Sequence, residues 1–179
     1  VVVDAGVTLT TTNSVVTFSG AVDSTATEAN TLTVTSGTGN VTFTGAVGGG
    51  TNGTLGALAV NSTGVTRFNA TVSAASVTTN AGGSTELNGN VTTSGAQAYG
   101  DAVVVDAGIT LTTTNSAVTF SGAVDSAASE ANALTVTSGT GNVTFTGAVG
   151  GGTNGTLGAV VVNSTGVTRF NATVSAASV

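Results

Sequence analysis

Hydrophobic and polar positions alternate along most of the chain, most clearly in Val41-Thr42-Phe43-Thr44-Gly45-Ala46-Val47. Val41, Phe43, Gly45 and Val47 fall on one side, and Thr42, Thr44 and Ala46 on the other, which is the alternation of a half-buried β-strand. The pattern returns as VTFSGAV at 16–22, TRFNATV at 66–72, TELNGNV at 85–91 and QAYGDAV at 97–103. Its common core is a ring or Leu, a small or turn-forming residue two later, and Val four later. Within residues 1–102 no 11-residue window places apolar residues at i, i+3, i+4 and i+7, and the most helix-like piece, 24–30, is too short to stand alone. The pattern predicts an all-β protein.

Between successive anchor strands lies a second short strand: Leu32-Thr33-Val34, Leu58-Ala59-Val60 and Ala75-Ser76-Val77. Turn-rich segments at 36–40, 61–64 and 80–84 close each cycle, with Gly and Asn supplying the backbone conformations that such turns require. Inserts of changing length, at 23–30, 48–57 and only Ser73 and Ala74 in the third cycle, read as one variable corner. Strand, corner, strand, turn, repeated every 20–25 residues or so, is the sequence of a parallel β-solenoid.

The register predicts one interior column of anchors, Phe18, Phe43, Phe68 and Leu87, continued by Phe120, Phe145 and Phe170. Each buried Phe or Leu contributes about 1.5–3 kcal/mol, and rings in adjacent coils can offset-stack. Gly20, Gly45, Ala70 and Gly89 follow two residues after their anchors, where a small residue leaves room beside a large one. Asp101 breaks that rule and is expected at a bend or in solvent.

A longer repeat contains the short one. Residues 1–77 return as 103–179, and seven of those 77 positions differ: Val7/Ile109, Val15/Ala117, Thr25/Ala127, Thr27/Ser129, Thr31/Ala133, Leu58/Val160 and Ala59/Val161. The chain therefore divides into a first 102-residue unit, 1–102, and a second, truncated copy, 103–179, in one continuous solenoid. The window opens and closes inside the array, which points to a segment of something longer. Anchor spacings of 25, 25, 19, 12 and 21, counting Tyr99, fit either five coils per unit or four larger ones with Tyr99 on another face. Five is the preferred reading. At about 4.8 Å per coil the chain would span roughly 40 Å.

Composition narrows the function. Thr, Val, Ala and Gly dominate, residues whose side chains are small or branched at Cβ and suit a pleated face. The formal charge is −6 and the cations are Arg67 and Arg169 alone, which speaks against nucleic acid and against an anionic membrane surface. No run of 18 apolar residues exists to span a bilayer. Cys, His and Lys are absent, so thiolate chemistry, disulfides and a His-activated nucleophile have no residues to work with. A Thr-rich chain without Cys or Lys fits an extracellular protein.

The eight acids are Asp4, Asp23, Glu28, Glu86, Asp101, Asp106, Asp125 and Glu130, and three pairs of them are repeat copies. They are too scattered for paired acid–base work, so no catalytic residue is expected. Asp23 with Glu28 and Asp101 with Asp106 are the pairs a Ca²⁺ ion would use, but the dense Asp/Asn/Gly loop of such a site is missing. Ca²⁺ is thus the one cofactor considered, and a solvated acid is the favoured reading. The Gly48–Gly50 run lacks the following Lys and helix of a phosphate loop. In a 19-residue coil Glu86 stacks over Arg67, predicting an ion pair between adjacent coils, and Asn69 and Asn88 become a candidate Asn ladder. Asn-x-Ser/Thr triplets at Asn40, Asn52, Asn61, Asn69 and Asn90 read as turn or ladder residues before glycan acceptors.

The phrases GTGNVTFTGAVGG (38–50), STGVTRFNATV (62–72), GGSTELNGNVTTSGAQAYGDAV (82–103) and DAGVTLTTTNS (4–14) resemble the strand repeats of giant bacterial surface proteins, the filamentous-haemagglutinin-like adhesins. The resemblance covers essentially the whole chain. It implies a right-handed parallel β-helix, export, and roles in adhesion or surface filaments, with no catalytic residues to carry over. The expected function is a structural repeat of an extracellular filament whose partners are copies of itself or the array continuing head-to-tail. A ligand-binding adhesin repeat, with glycans or a cell surface as target, is the alternative. An ice-binding solenoid is a minor one, on the rows Thr8, Thr10, Thr12 and Thr31, Thr33, Thr35, against which the irregular spacing counts.

Overall fold

A computed structural model describes residues 1–50, 52–152 and 154–179. Every segment with period-two alternation is a strand, and the described residues contain no helix. All strand pairs are parallel, and each strand pairs with the equivalent strand one turn on. The protein is a β-solenoid with three faces around one apolar core.

The first face is a six-stranded sheet of Val16–Phe18, Val41–Phe43, Val65–Phe68, Ser84–Leu87, Ala102–Val105 and Val124–Ser126. The chain then crosses the second face, where Val72 pairs with Val91, Val91 with Leu111, and Leu111 with Val136. It returns along the third face, stacking Leu9, Val34, Val60, Thr79, Tyr99, Phe120, Phe145 and Phe170, which gives eight turns. The strand Val72–Thr79 bends across the second and third faces, joining them into one thirteen-stranded sheet.

The register settles the coil count differently from the anchor spacing. Tyr99 is not the level after Leu87. It sits over Thr79 on the third face, while Leu87 is followed by Val105 on the first. Between Val3, whose strand pairs with Asp23–Ser24 on the second face, and its copy Val105 on the first, the chain passes fourteen faces. At three faces to the turn, one 102-residue unit makes four turns and two faces, neither five coils nor four. The second copy is therefore rotated by one face. Val16–Phe18 lies on the first face and its copy Val118–Phe120 on the third; Leu32 to Val34 lies on the third and its copy Leu134 to Val136 on the second.

The predicted single column of rings is thus two columns. Phe18, Phe43 and Phe68 stack on the first face with centroids 4.8 and 5.1 Å apart, and Leu87 continues them. Tyr99, Phe120, Phe145 and Phe170 stack on the third, 5.3, 4.7 and 4.8 Å apart. Each turn carries at most one ring, because a triangular interior filled from two faces by Val and Leu has room for one. The turn of Leu87 and Thr79 has none, and the ring column changes face there.

Gly45 is explained by the corner rather than by the ring. A Cβ on Gly45 would lie 2.6 Å from the Ala21 nitrogen of the preceding coil. Backbones pass closely at that corner, where the neighbouring coils carry only Gly or Ala.

The inserts do not share one corner along the whole chain. In the first copy they join the second face to the third; in the second copy the same residues join the first face to the second. Thr51 and its copy Thr153 lie outside the described residues.

Candidate functional site: the corner loops and the polar interior

The inserts are tied to neighbouring coils through their acids and amides. Asp23 is buried, and its Oδ1 accepts the Gly50 N–H at 3.0 Å; Asp125 and Gly152 repeat the bond at 3.0 Å. A Cβ at Gly50 would fall on the Asp23 carboxylate, so the glycine run exists to let one loop close over the acid of the loop before it. Asn30 donates from Nδ2 to the Val3 carbonyl at 3.1 Å and to Glu28 Oε2 at 2.6 Å, while its N–H donates to Ser24 Oγ at 2.9 Å. Asn132, Val105, Glu130 and Ser126 make the same three bonds. Both acids of each insert are thereby engaged in holding loops. Among the described residues no three carboxylates converge.

Under the 48–57 insert the coils narrow, leaving an open groove of about 330 Å³ on the second face. Ala29 from one insert and Thr54 and Leu55 from the other form its upper wall, and Ser73, Ala74 and Thr92 its floor. Hydroxyl and methyl groups line it. It can offer hydrogen bonds and apolar contact but has no titratable side chain for acid–base chemistry.

On the first face Arg67 and Glu86 are register partners and form an ion pair, with Arg67 Nη2 also donating to Glu86 Oε1 at 3.0 Å. Asn69 and Asn88 follow in the same register but do not bond each other as a ladder. Asn88 Nδ2 reaches forward to Asp106 Oδ2 at 3.1 Å. The Asp106 carboxyl is pushed up by partial burial and by repulsion from Glu86 and Glu130, against the opposing effects of Asn88 and Arg67. Elsewhere Asn side chains bond backbone of the adjacent coil: Asn40 Oδ1 accepts the Val65 N–H at 2.9 Å, and Asn90 Oδ1 the Thr110 N–H at 2.8 Å. Each supplies a backbone partner where a corner interrupts the ladder. Asn52, in the insert, is exposed.

A second polar group escaped the sequence reading because it is inside. Asp101 does sit at a bend, but it is only 3 % exposed and does not reach solvent. Its Oδ1 accepts hydroxyl bonds from Thr79 at 3.0 Å and Thr85 at 2.8 Å. Nearby, Gln97 is buried and donates to the Val91 and Thr112 carbonyls at 3.2 and 3.0 Å, while its Oε1 accepts from the Tyr99 hydroxyl at 3.0 Å. Burial raises the Tyr99 phenol. The signal was present in the sequence: Thr85 stands where Val41 and Val103 stand, and Asp101 stands where other cycles have Gly or Ala.

No protein-family model, curated protein or solved structure matches the chain.

Proposed function

We propose that this chain is a structural repeat segment of a long extracellular filament or cell-surface fibre, extended by copies of itself or by the array continuing head-to-tail. What carries the reading is the rotation of the second copy by one face. A strand such as VTF is packed equally well on the first face and on the third, with the same ring stacking. A unit indifferent to face can be added without adjustment, and what it adds is length. The rotation also bears on single-sided functions, since a motif presented on one face in the first copy is presented on another in the second.

That argument weighs against an ice-binding plane. The outer row of the third face runs Thr8, Thr33, Ala59, Thr78, Ala98, Thr119, Thr144, Arg169, which is a broken row of Thr. The adhesin reading keeps one specific support, the hydroxyl-lined groove bounded by both inserts. Its targets would be glycans or a host surface, bound around the circumference of the rod instead of along one side.

Electron microscopy of the native polypeptide tests the filament reading. Thin unbranched rods are expected, and compact isolated particles at every concentration would sink it. Glycan arrays test the alternative, with binding lost on replacement of Thr54 and Thr92 by bulkier residues.

A further inference from the structure

Residues 78–102 are the part of the chain without a second copy, and they contain the turn where the ring column leaves the first face for the third. The interior there is polar. Thr66, Thr79, Thr85 and Asp101 are each at most 3 % exposed. The Thr79 hydroxyl accepts the Gly100 N–H at 3.3 Å and donates to Asp101 Oδ1, and the Thr85 hydroxyl donates to the same oxygen. Two buried polar atoms among the described residues lack any partner, Asp101 Oδ2 and Thr66 Oγ1, and both belong to this group. Thr66 is the register partner of Thr85.

No charge compensates the carboxyl. The strands Val72–Thr79, Ala102–Val105 and Val118–Phe120 packed around it carry no ionisable side chain. Arg67 and Glu86 alternate with the buried Thr66, Phe68, Thr85 and Leu87, point outward and pair with each other. The Tyr99 hydroxyl is bonded to Gln97. An ionised Asp101 would therefore be a buried charge with one oxygen bare. A neutral Asp101 keeps both hydroxyl bonds on Oδ1 and places its proton on Oδ2, which costs far less.

We infer that the solenoid accommodates Asp101 best as the neutral acid and that its ionisation loosens the turn it occupies, making the unduplicated segment a link between the two copies that weakens as pH rises. Burial raises the Asp101 carboxyl, with the Thr85 and Thr79 bonds opposing in part. A carboxyl raised on folding contributes full stability below its unfolded value. It loses that contribution as pH climbs from there through the folded value. Below the ordinary value of 3.8 the link is closed, and it weakens above that as Asp101 gives up its proton.

The test is a carboxyl-carbon NMR titration of the ¹³C-labelled chain from about pH 3 to about pH 8, bracketing the ordinary carboxylate range. Amide hydrogen exchange of strands 72–79, 84–87 and 102–105 is followed in parallel for the wild type and Asp101→Asn. Asn keeps an acceptor for both threonines and cannot ionise. Asp101 is expected to titrate above 3.8. The ratio of wild-type to D101N exchange in these strands should rise by about tenfold per pH unit up to the Asp101 midpoint and then level off. Thr85→Val, which removes a donor to the ionised form and suits a column that already holds Val41 and Val103, should move the Asp101 midpoint higher still. T85V reads the same coupling in a chain that retains the acid, should D101N not fold. An Asp101 midpoint at or below 3.8, or a wild-type to D101N ratio flat with pH, overturns the inference.

Discussion

Phe18 and Phe120 hold the same place in the repeated sequence and different faces of the solenoid: Phe18 stacks on Phe43 on the first, Phe120 on Tyr99 and Phe145 on the third. The ring columns are what the two faces have in common, and their removal is the most direct test of the core. Phe43 is fully buried between Phe18 and Phe68, with ring planes inclined by 6° and 10°. Phe43→Ala should cost about 3–5 kcal/mol, and Phe43→Leu, which imitates Leu87 two coils on in the same column, clearly less. Phe145→Ala, fully buried between Phe120 and Phe170, should cost as much as Phe43→Ala. Urea melts of the three variants decide it, and a large gap between the two Ala variants would mean that the faces are not equivalent.

Arg67 and Glu86 form a contact between coils that solvent reaches, their side chains being 39 % and 20 % exposed. A double-mutant cycle should return a coupling of about 0–1 kcal/mol, shrinking in high salt. The two single variants should differ. Arg67→Ala leaves Glu86 facing Asp106 uncompensated, whereas Glu86→Ala removes that repulsion along with the pair. R67A is therefore expected to be the more destabilising. The opposite order would mean that repulsion between Glu86 and Asp106 does not decide the difference.

Glycines of similar appearance should respond in opposite ways. A Cβ on Gly45 would strike the backbone of Gly20 and Ala21, while one on Gly108 meets nothing within 4 Å. Gly45→Ala is expected to destabilise by about 1–3 kcal/mol through overpacking. Gly108→Ala should be neutral or stabilise by up to about 1 kcal/mol through the unfolded chain. The repeat hides this difference: Gly6, the copy of Gly108, faces Thr31, whose own copy is Ala133. Thermal melts of G45A and G108A compare them directly.

The strands and the Arg67–Glu86 register were legible because period two and a 19-residue offset are local facts of the sequence. The face assignment was not. Anchor spacing treats each ring as the next level of one column, and that holds from Phe18 to Leu87. It fails at Tyr99, because the level after Leu87 on the first face is Val105, which has no ring, while Tyr99 belongs to the third face. Three interior faces of similar polarity make a shift by one face invisible to hydrophobic patterning; only the pairing of Thr79 with Tyr99 reveals it. The bend at Asp101 was legible, but its burial was not, for a related reason. A charged residue at an interior position looks like an error in register until Thr79 and Thr85 are found pointing at it from the preceding coil.

Turns of the solenoid should be removable only whole. Residues 84–101 comprise one strand on each face, and their length of 18 is the spacing from Leu87 to Val105. Deleting them joins the 80–83 turn to Ala102, sets Val103 over Thr66 and Phe120 over Thr79, and takes Asp101 out with its turn. The remaining strands keep their faces, so cooperative melting and a β-type circular dichroism spectrum should survive with a modestly lower Tm. Deleting the 12 residues 88–99 instead removes two strands, one from the second face and one from the third. That rotates everything downstream, placing Phe120 over Leu87 and carrying Asp101 to a corner without Thr79 beneath it. The chain with the shorter deletion should melt at the lower temperature although it retains more of the sequence, because Asp101 then takes the place of Gly89, where a Cβ meets the Ala70 backbone at 2.5 Å. If the 88–99 deletion proves the more stable of the two, the whole turn is not the unit of the fold.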